Sequence, residues 1–132
     1  MRSLIAGLLL LASSAVVCAD GAIVIGDDPG GNVQEYLQKY NALRHTHTHT
    51  PVILAGDCVS ACSFVLTLPR SQVCALPGSR LGFHGASRTP GGPVDLKASK
   101  QIGRLFYPPS VRPYLNTTAV HYEPARRFFG PC

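Results

Sequence analysis

Glycine and proline recur so often in this chain that no helix or strand is expected to be long. The sequence has 13 Gly and 11 Pro among its 132 residues. Both residues interrupt regular backbone geometry, and clusters of them mark turns. Long coiled coils and bundles of membrane-spanning helices are therefore excluded. Because 45% of the residues are hydrophobic, a single small domain with a packed core is expected.

The N-terminal segment has the pattern of a secretory signal peptide. Arg2 gives a basic start, an apolar run covers 4–17, and the small side chains Val17 and Ala19 occupy the positions of a cleavage site. A membrane anchor is the alternative, but the run has roughly 14 residues and a bilayer crossing needs about 20. We therefore predict a signal peptide over 1–19, export to the periplasm or medium, and one domain over 20–132.

Charge and compartment narrow the range of partners. The net charge of the whole chain is +5, and its basic residues are scattered rather than interleaved with aromatic residues as on a nucleic-acid platform. We therefore expect no nucleic-acid partner, and no membrane partner once the signal peptide has been removed. CoA, ATP and nicotinamide cofactors are supplied in the cytosol, so an exported protein is expected to work without a cofactor.

Cysteine content supports export. The predicted mature domain keeps four cysteines: Cys58, Cys62, Cys74 and Cys132. An even number in a small exported domain indicates two disulfides, for which three connectivities exist. Zinc binding is the competing explanation, but the sequence contains no CxxC pair.

Short apolar runs alternate with helical patterns along the predicted domain. An apolar stripe that starts after Asn32 predicts a capped helix, and a second helix is predicted over about 94–106. The strand candidates are 22–25, 51–54, 73–76 and 81–83. This alternation predicts an α/β domain with parallel strands and right-handed crossovers. The segment 110–132 is weakly patterned, and no element is assigned to it.

Three histidines, His45, His47 and His49, alternate with threonines. In an extended segment their imidazoles would share one side and could bind a metal ion. The alternative is a polar connector between helix and strand, which is favoured because no carboxylate or cysteine lies nearby to complete a site. We therefore predict no metal site.

Three turns, each after a predicted strand, contain groups that could take part in catalysis. The N–H groups of Gly30 and Gly31 could point at a developing oxyanion. Ser60 lies in a tight strand-to-helix turn, where the helix N-terminus favours an alkoxide-like oxygen. His84 follows a strand, lies beside small residues and could act as a general base. Taken singly, each has a simpler explanation. The glycines could form a connecting turn, Ser60 could be a helix N-cap, and His84 could be a core histidine whose ring nitrogens are hydrogen-bonded.

Taken together, these turns resemble a known protease family. The matching segments are, in order, 29–31, 56–60 and 76–84. Their order is similar to that of the Clp protease proteolytic subunit in the ClpP/crotonase superfamily. The cysteines around Ser60 look like those of an uncharacterised group of exported bacterial proteins in that superfamily. The resemblance covers roughly residues 22–87 and implies a small ClpP/crotonase-like α/β fold.

The resemblance implies a serine hydrolase that acts on a peptide or another acyl substrate. Ser60 would be the nucleophile and His84 the general base, and the Gly30 and Gly31 amides would form the oxyanion hole. A different class of function stays open beside it. The chain could be a non-catalytic binding or scaffold protein that keeps a degenerate form of the fold and its disulfides.

The sequence departs from the protease family at the third member of the triad. The best match to the region of the catalytic aspartate puts Val120 at that position. Asp95 and Glu123 are the only acidic residues after His84. The sequence around neither of them resembles the sequence around the catalytic aspartate of the family. Related membrane-associated peptidases use a serine and a lysine, and the lysines available for that part are Lys97 and Lys100.

Two further expectations concern cross-links and assembly. A Cys62–Cys74 disulfide would tie the segment after Ser60 to the following strand and leave Cys58 for Cys132. We therefore expect that pairing among the three. The protease family forms rings through a longer handle helix and tail, for which this chain has little room, so ring assembly is not expected and the oligomeric state stays open.

Overall fold

A computed structural model describes residues 21–132, so the predicted signal peptide and its cleavage site lie outside the described residues. The helices are α1 (Val33–His45) and α2 (Leu96–Phe106), and the strands are β1 (Ile23–Ile25), β2 (Val52–Leu54), β3 (Asp57–Val59), β4 (Val73–Ala75), β5 (Arg80–Phe83) and β6 (His121–Pro124). Short 3-10 helical segments cover Ser60–Thr67, Arg70–Gln72, Pro109–Asn116 and Ala125–Arg127. Over residues 21–132 there is no helical segment whose length and hydropathy suit a bilayer crossing.

The first predicted helix is confirmed as α1, and capping explains where it begins. The Asn32 side chain accepts hydrogen bonds from the N–H groups of Gln34 (2.9 Å) and Glu35 (3.2 Å), which satisfies two of the otherwise unpaired donors at a helix start. Tyr40 and Leu43 are buried on the inner face. Burial of this face holds α1 against the rest of the domain.

The first sheet has the predicted parallel strands. Its order is β1-β2-β4, with β2 in the centre. In the register, Val52 lies opposite Ile23 on one side and Val73 on the other. Parallel neighbours need a crossover connection, and α1 supplies it between β1 and β2. Val52 and Leu54 are completely buried, as expected for a central strand.

The second sheet differs from the prediction of parallel strands throughout. Its order is β3-β5-β6, and β5 pairs in parallel with β3 but antiparallel with β6. The last strand comes from the segment that carried no assigned element. Its four residues are half-buried and exposed in alternation, so it lacks the apolar pattern that identifies a strand in sequence. The domain is therefore a mixed α/β fold with two small sheets.

An aromatic cluster fills the core around the second sheet. Phe64 stacks on Tyr107 with their ring centroids 5.3 Å apart. Phe83 on β5 meets Tyr107 and Phe128 edge-on, at 5.6 and 6.1 Å. These contacts bring the chain that leaves α2 against the segment after Ser60, and they fix the surroundings of the candidate site.

Two disulfides are present, as predicted, but the expected pairing is wrong. The bonds join Cys58 to Cys62 and Cys74 to Cys132. Cys58 ends up close to Cys62 because the chain turns sharply between them, and their Cα atoms are 5.2 Å apart. Cys74 is covered by the C-terminal segment, since the Ala75 N–H donates to the Gly130 carbonyl at 2.9 Å. The first disulfide therefore spans the Ser60 turn, and the second anchors the C-terminus.

Candidate functional site

Ser60 occupies an unusual backbone conformation at the end of β3. Its φ angle is 58°, and among the described residues no other non-glycine residue has a positive φ. The left-handed region is unfavourable for a residue with a β-carbon, and such strain is concentrated at functional sites. A simple N-cap serine has an extended backbone instead. Ser60 is therefore held in a sharp strand-to-helix turn that its own preference does not favour.

Two hydroxyl groups hold the carbonyl of Ser60 in place. Ser63 Oγ donates to that carbonyl oxygen at 2.6 Å. The Tyr107 hydroxyl lies 2.6 Å from Ser63 Oγ and donates to the Ser60 carbonyl oxygen at 3.4 Å. Burial raises the pKa of Tyr107 well above its ordinary value, so this donor stays protonated. Sequence reasoning missed both residues, and their only signal is a polar group within an apolar stretch.

The turn at 29–31 packs directly on Ser60. Gly30 has a φ of +81°, and a β-carbon there would lie 2.5 Å from the Val59 carbonyl oxygen and 2.8 Å from the Ser60 β-carbon. Only glycine fits this close approach. The Gly30 N–H donates to Asp28 Oδ1 at 2.9 Å, so it is engaged within the turn. Of the two predicted oxyanion donors, the Gly31 amide is the one left for a ligand.

Asp28 ties this turn to both α1 and β3. Its Oδ1 also accepts a hydrogen bond from the Tyr36 hydroxyl at 2.6 Å. Burial and then this hydrogen bond raise the pKa of Tyr36 to about 12. The Asp28 backbone donates to Asp57 at 2.8 Å and accepts from Val59 at 2.9 Å. Sequence reasoning treated Asp28 only as a turn residue, but it positions the whole glycine turn beside Ser60.

His84 follows β5 and has a defined tautomer. Its Nδ1 lies 2.8 Å from the Gly85 carbonyl oxygen. A carbonyl oxygen only accepts hydrogen bonds, so Nδ1 carries the proton in the neutral ring. The lone pair is then on Nε2, the atom through which a histidine base removes a proton from a nucleophile.

No carboxylate supports His84 among the described residues. Val120, the residue that matched the family's catalytic aspartate, packs over β5, since a β-carbon at Gly82 would lie 2.9 Å from Val120 Cγ1. Asp95 caps α2 and pairs with Arg88. Glu123 pairs with His121 and Arg127. Both carboxylates are thus bound to other residues and not to His84.

Ser60, His84 and Gly31 line one pocket of about 100 Å³. Tyr107 and small residues such as Ala86 complete its wall. Within residues 21–132, no hydrogen bond joins the side chains of Ser60 and His84. The wall carries no Asp, Glu, Lys or Arg side chain, so no carboxylate or cationic side chain of the protein lies in the pocket beside Ser60 and His84.

The remaining candidates lie elsewhere. Lys97 and Lys100 line a separate groove beside α2 and not the pocket of Ser60. His45 ends α1, and His47 and His49 follow in a turn rather than an extended segment. The described part of the chain contains no group of three or more His, Cys, Asp or Glu residues that could hold a metal ion.

Three predicted groups from distant parts of the chain thus line a common pocket, while the Gly30 amide faces Asp28. The arrangement can in principle support attack by a hydroxyl on an acyl carbon. When the chain is compared with protein-family models, with curated proteins and with solved structures, nothing matches it.

Proposed function

We propose that this protein is an exported serine hydrolase with a ClpP/crotonase-like fold, acting on a peptide or another acyl substrate. The observation that carries the proposal is the strained conformation of Ser60 at a pocket that His84 and Gly31 also line. A serine forced to a positive φ at a strand-to-helix turn is exposed to substrate in the manner of a hydrolase nucleophile.

In the proposed reaction, Ser60 Oγ attacks the acyl carbon and its proton passes to His84 Nε2. The negative charge that develops on the acyl oxygen is stabilised by the Gly31 N–H. His84 then protonates the leaving group, and an acyl-serine intermediate is left. Water, deprotonated by the same imidazole, attacks that ester, releases the acid and restores the Ser60 hydroxyl.

The Gly85 carbonyl takes the orienting role that a carboxylate has in a triad. It selects the same tautomer, since it accepts the Nδ1 proton. It carries no full charge, however, and stabilises the imidazolium less than a carboxylate does. Loss of the correctly placed acid costs about 10⁴-fold in the best-known triad, so turnover by this dyad is expected to be slow.

Two disulfides support the exported location. Such bonds persist in oxidising compartments and are rare in the cytosol. Together with the signal-peptide pattern over 1–19, they favour a periplasmic or secreted protein.

Fluorophosphonate labelling tests the proposal, because Ser60 Oγ would displace fluoride from the reagent's phosphorus. We expect one label on the wild type, none on Ser60→Ala, and labelling of His84→Ala slowed by about 100-fold or more. Ser71→Ala is the matched control, since Ser71 is exposed and lies outside the pocket. Equal labelling of wild type and Ser60→Ala would refute the assignment.

A binding or scaffold protein is the second candidate. It is favoured by the absence of a hydrogen bond between Ser60 and His84 and by the lack of a carboxylate partner for the imidazole among the described residues. This alternative predicts that the folded wild type takes no label under conditions that label an active serine hydrolase. The same experiment therefore decides between the two functions.

A further inference from the structure

A second, larger concavity lies between α2 and the 3-10 segment Pro109–Asn116. Its volume is about 730 Å³, within the range of roughly 300–1,000 Å³ that small-molecule sites have. Buried residues Ser99, Gly103 and Leu115 line it, together with Pro109 and Pro113. We call it the α2 groove. Ser60 and His84 do not line it.

Four cationic side chains line the α2 groove: Lys97, Lys100, Arg104 and Arg112. No acidic residue lines it, and among the described residues none of these cations forms a salt bridge. Other arginines of the same domain are paired, for example Arg80 with Asp57. Four of the eight Lys and Arg residues that form no salt bridge within residues 21–132 thus line this one groove. Arg112 is held there by hydrogen bonds from its Nε to the Gly103 and Tyr107 carbonyl oxygens, at 3.0 and 3.1 Å.

We propose that the α2 groove binds a fatty carboxylate, with its head at the cations and its alkyl chain along the apolar lining. Guanidinium and ammonium groups are suited to a carboxylate. An alkyl chain needs no hydrogen-bond partners, whereas a buried peptide backbone does. The uncharged polar side chains of the lining are only Ser99 and Asn116, and Ser99 Oγ already accepts a hydrogen bond from the Ala86 N–H at 2.8 Å.

Charge also argues against a second copy of the chain as the occupant. A symmetric dimer across this groove would bring the same four cations together with no acid between them. The net positive charge of the chain adds to that repulsion. The proposal is independent of the hydrolase mechanism, because it uses none of the residues of the Ser60 pocket.

Calorimetric titration of the whole protein with dodecanoate, below its micelle concentration, tests the proposal. One dodecanoate is expected to bind per chain. Dodecyltrimethylammonium, which has the same alkyl chain and a cationic head, and acetate, which lacks the chain, are each expected to bind at least about tenfold more weakly. Equal binding of both dodecyl compounds would overturn the proposal.

A charge-matched pair of double variants locates the carboxylate head. Lys100→Gln/Arg104→Gln removes two cations from the groove and is expected to weaken dodecanoate binding by about tenfold. Arg44→Gln/Arg70→Gln removes two exposed cations elsewhere and should change binding by less than about twofold. Equal weakening in both would mean that net charge alone attracts the ligand, and the site would be refuted.

Two leucines on α2 locate the alkyl chain. Leu96 and Leu105 are similarly exposed, at 62% and 65%, but only Leu96 lines the α2 groove. Leu96→Gln is therefore expected to weaken dodecanoate binding, and Leu105→Gln is not. If both weaken it equally and phosphatidylglycerol vesicles bind more tightly than dodecanoate, the helix docks on a membrane surface and the proposal fails. A dimer in sedimentation that dissociates in Lys100→Gln/Arg104→Gln would also overturn it.

Discussion

Gly30 and Ser60 depend on each other through a single close contact. Ser60 holds a left-handed conformation at φ 58°, and the Gly30 backbone fills the space beside it with no room for a side chain. Hydrogen bonds from Ser63 and from the Asp28 backbone on either side keep the turn in this shape. The strain at Ser60 is thus maintained by the neighbouring chain rather than by the residue's own preference.

Two glycine variants separate this contact from backbone preference. Gly30 and Gly78 have the same φ of +81°, but a β-carbon at Gly78 would meet nothing within 4 Å. Gly78→Ala should cost about 1 kcal/mol of unfolding free energy, as expected for a left-handed alanine. Gly30→Ala should cost at least about 2 kcal/mol more and abolish fluorophosphonate labelling, because it displaces Ser60. Urea unfolding measures the difference, and equal losses would contradict it.

At the level of elements, a buried tyrosine hydroxyl joins α1 to the segment after Ser60. The Tyr40 hydroxyl donates to the Cys62 carbonyl oxygen at 2.7 Å, and Tyr40 is only 1% exposed. Burial raises the pKa of Tyr40 well above its ordinary value. The hydroxyl therefore remains a donor at any physiological pH, and α1 keeps its position against the site.

Removing this hydroxyl has a consequence that depends on pH. Tyr40→Phe should cost about 1–3 kcal/mol at pH 7, because the Cys62 carbonyl loses its buried partner. Since the pKa of Tyr40 is higher in the folded than in the unfolded state, its contribution is complete below pH about 10 and falls as the pH rises above that. The wild type should therefore lose stability above pH 10 more steeply than Tyr40→Phe in urea titrations. Tyr122→Phe, at an exposed position, serves as control, and parallel curves for wild type and Tyr40→Phe would contradict the assignment.

Local signals predicted some elements and failed for others for a physical reason. The Asn32 cap and the apolar stripe after it act within one helix, so they can be recognised from the sequence alone. β3 follows β2 after only two residues, and its place in a different sheet depends on β5, which is distant in the chain. The hydrogen bond from the Gly30 amide to Asp28 likewise depends on side-chain orientation and not on residue type.

The candidate site was predicted at positions where the end of a strand is followed by a side chain capable of catalysis. Ser60 and His84 each directly follow a strand, and the predicted convergence of these turns agrees with their common pocket. The residues that hold the site in position could not be predicted, because they act through tertiary contacts. Tyr107 reaches Ser63 across 44 positions of the chain, and no spacing rule links two such residues.

Over the whole molecule, the two disulfides have different tasks. Cys58–Cys62 closes a loop of four positions around Ser60, whereas Cys74–Cys132 spans 58 positions and holds the C-terminus on the first sheet. Pro131 forms a bridge to Ala75 beside it. The entropy that a cross-link removes from the unfolded chain grows with loop length, so the second bond is expected to dominate stability and the first to act locally.

Paired alanine variants distinguish these tasks. From loop length, Cys74→Ala/Cys132→Ala should lower the free energy of unfolding by about 4 kcal/mol, and Cys58→Ala/Cys62→Ala by about 2 kcal/mol. Under conditions where both variants are folded by circular dichroism, the first should still take the fluorophosphonate label, because its bond lies away from the pocket. The second should label more slowly, since the turn that presents Ser60 is no longer closed at both sides. Normal labelling of Cys58→Ala/Cys62→Ala would show that the glycine turn and the Ser63 hydrogen bond suffice to hold Ser60.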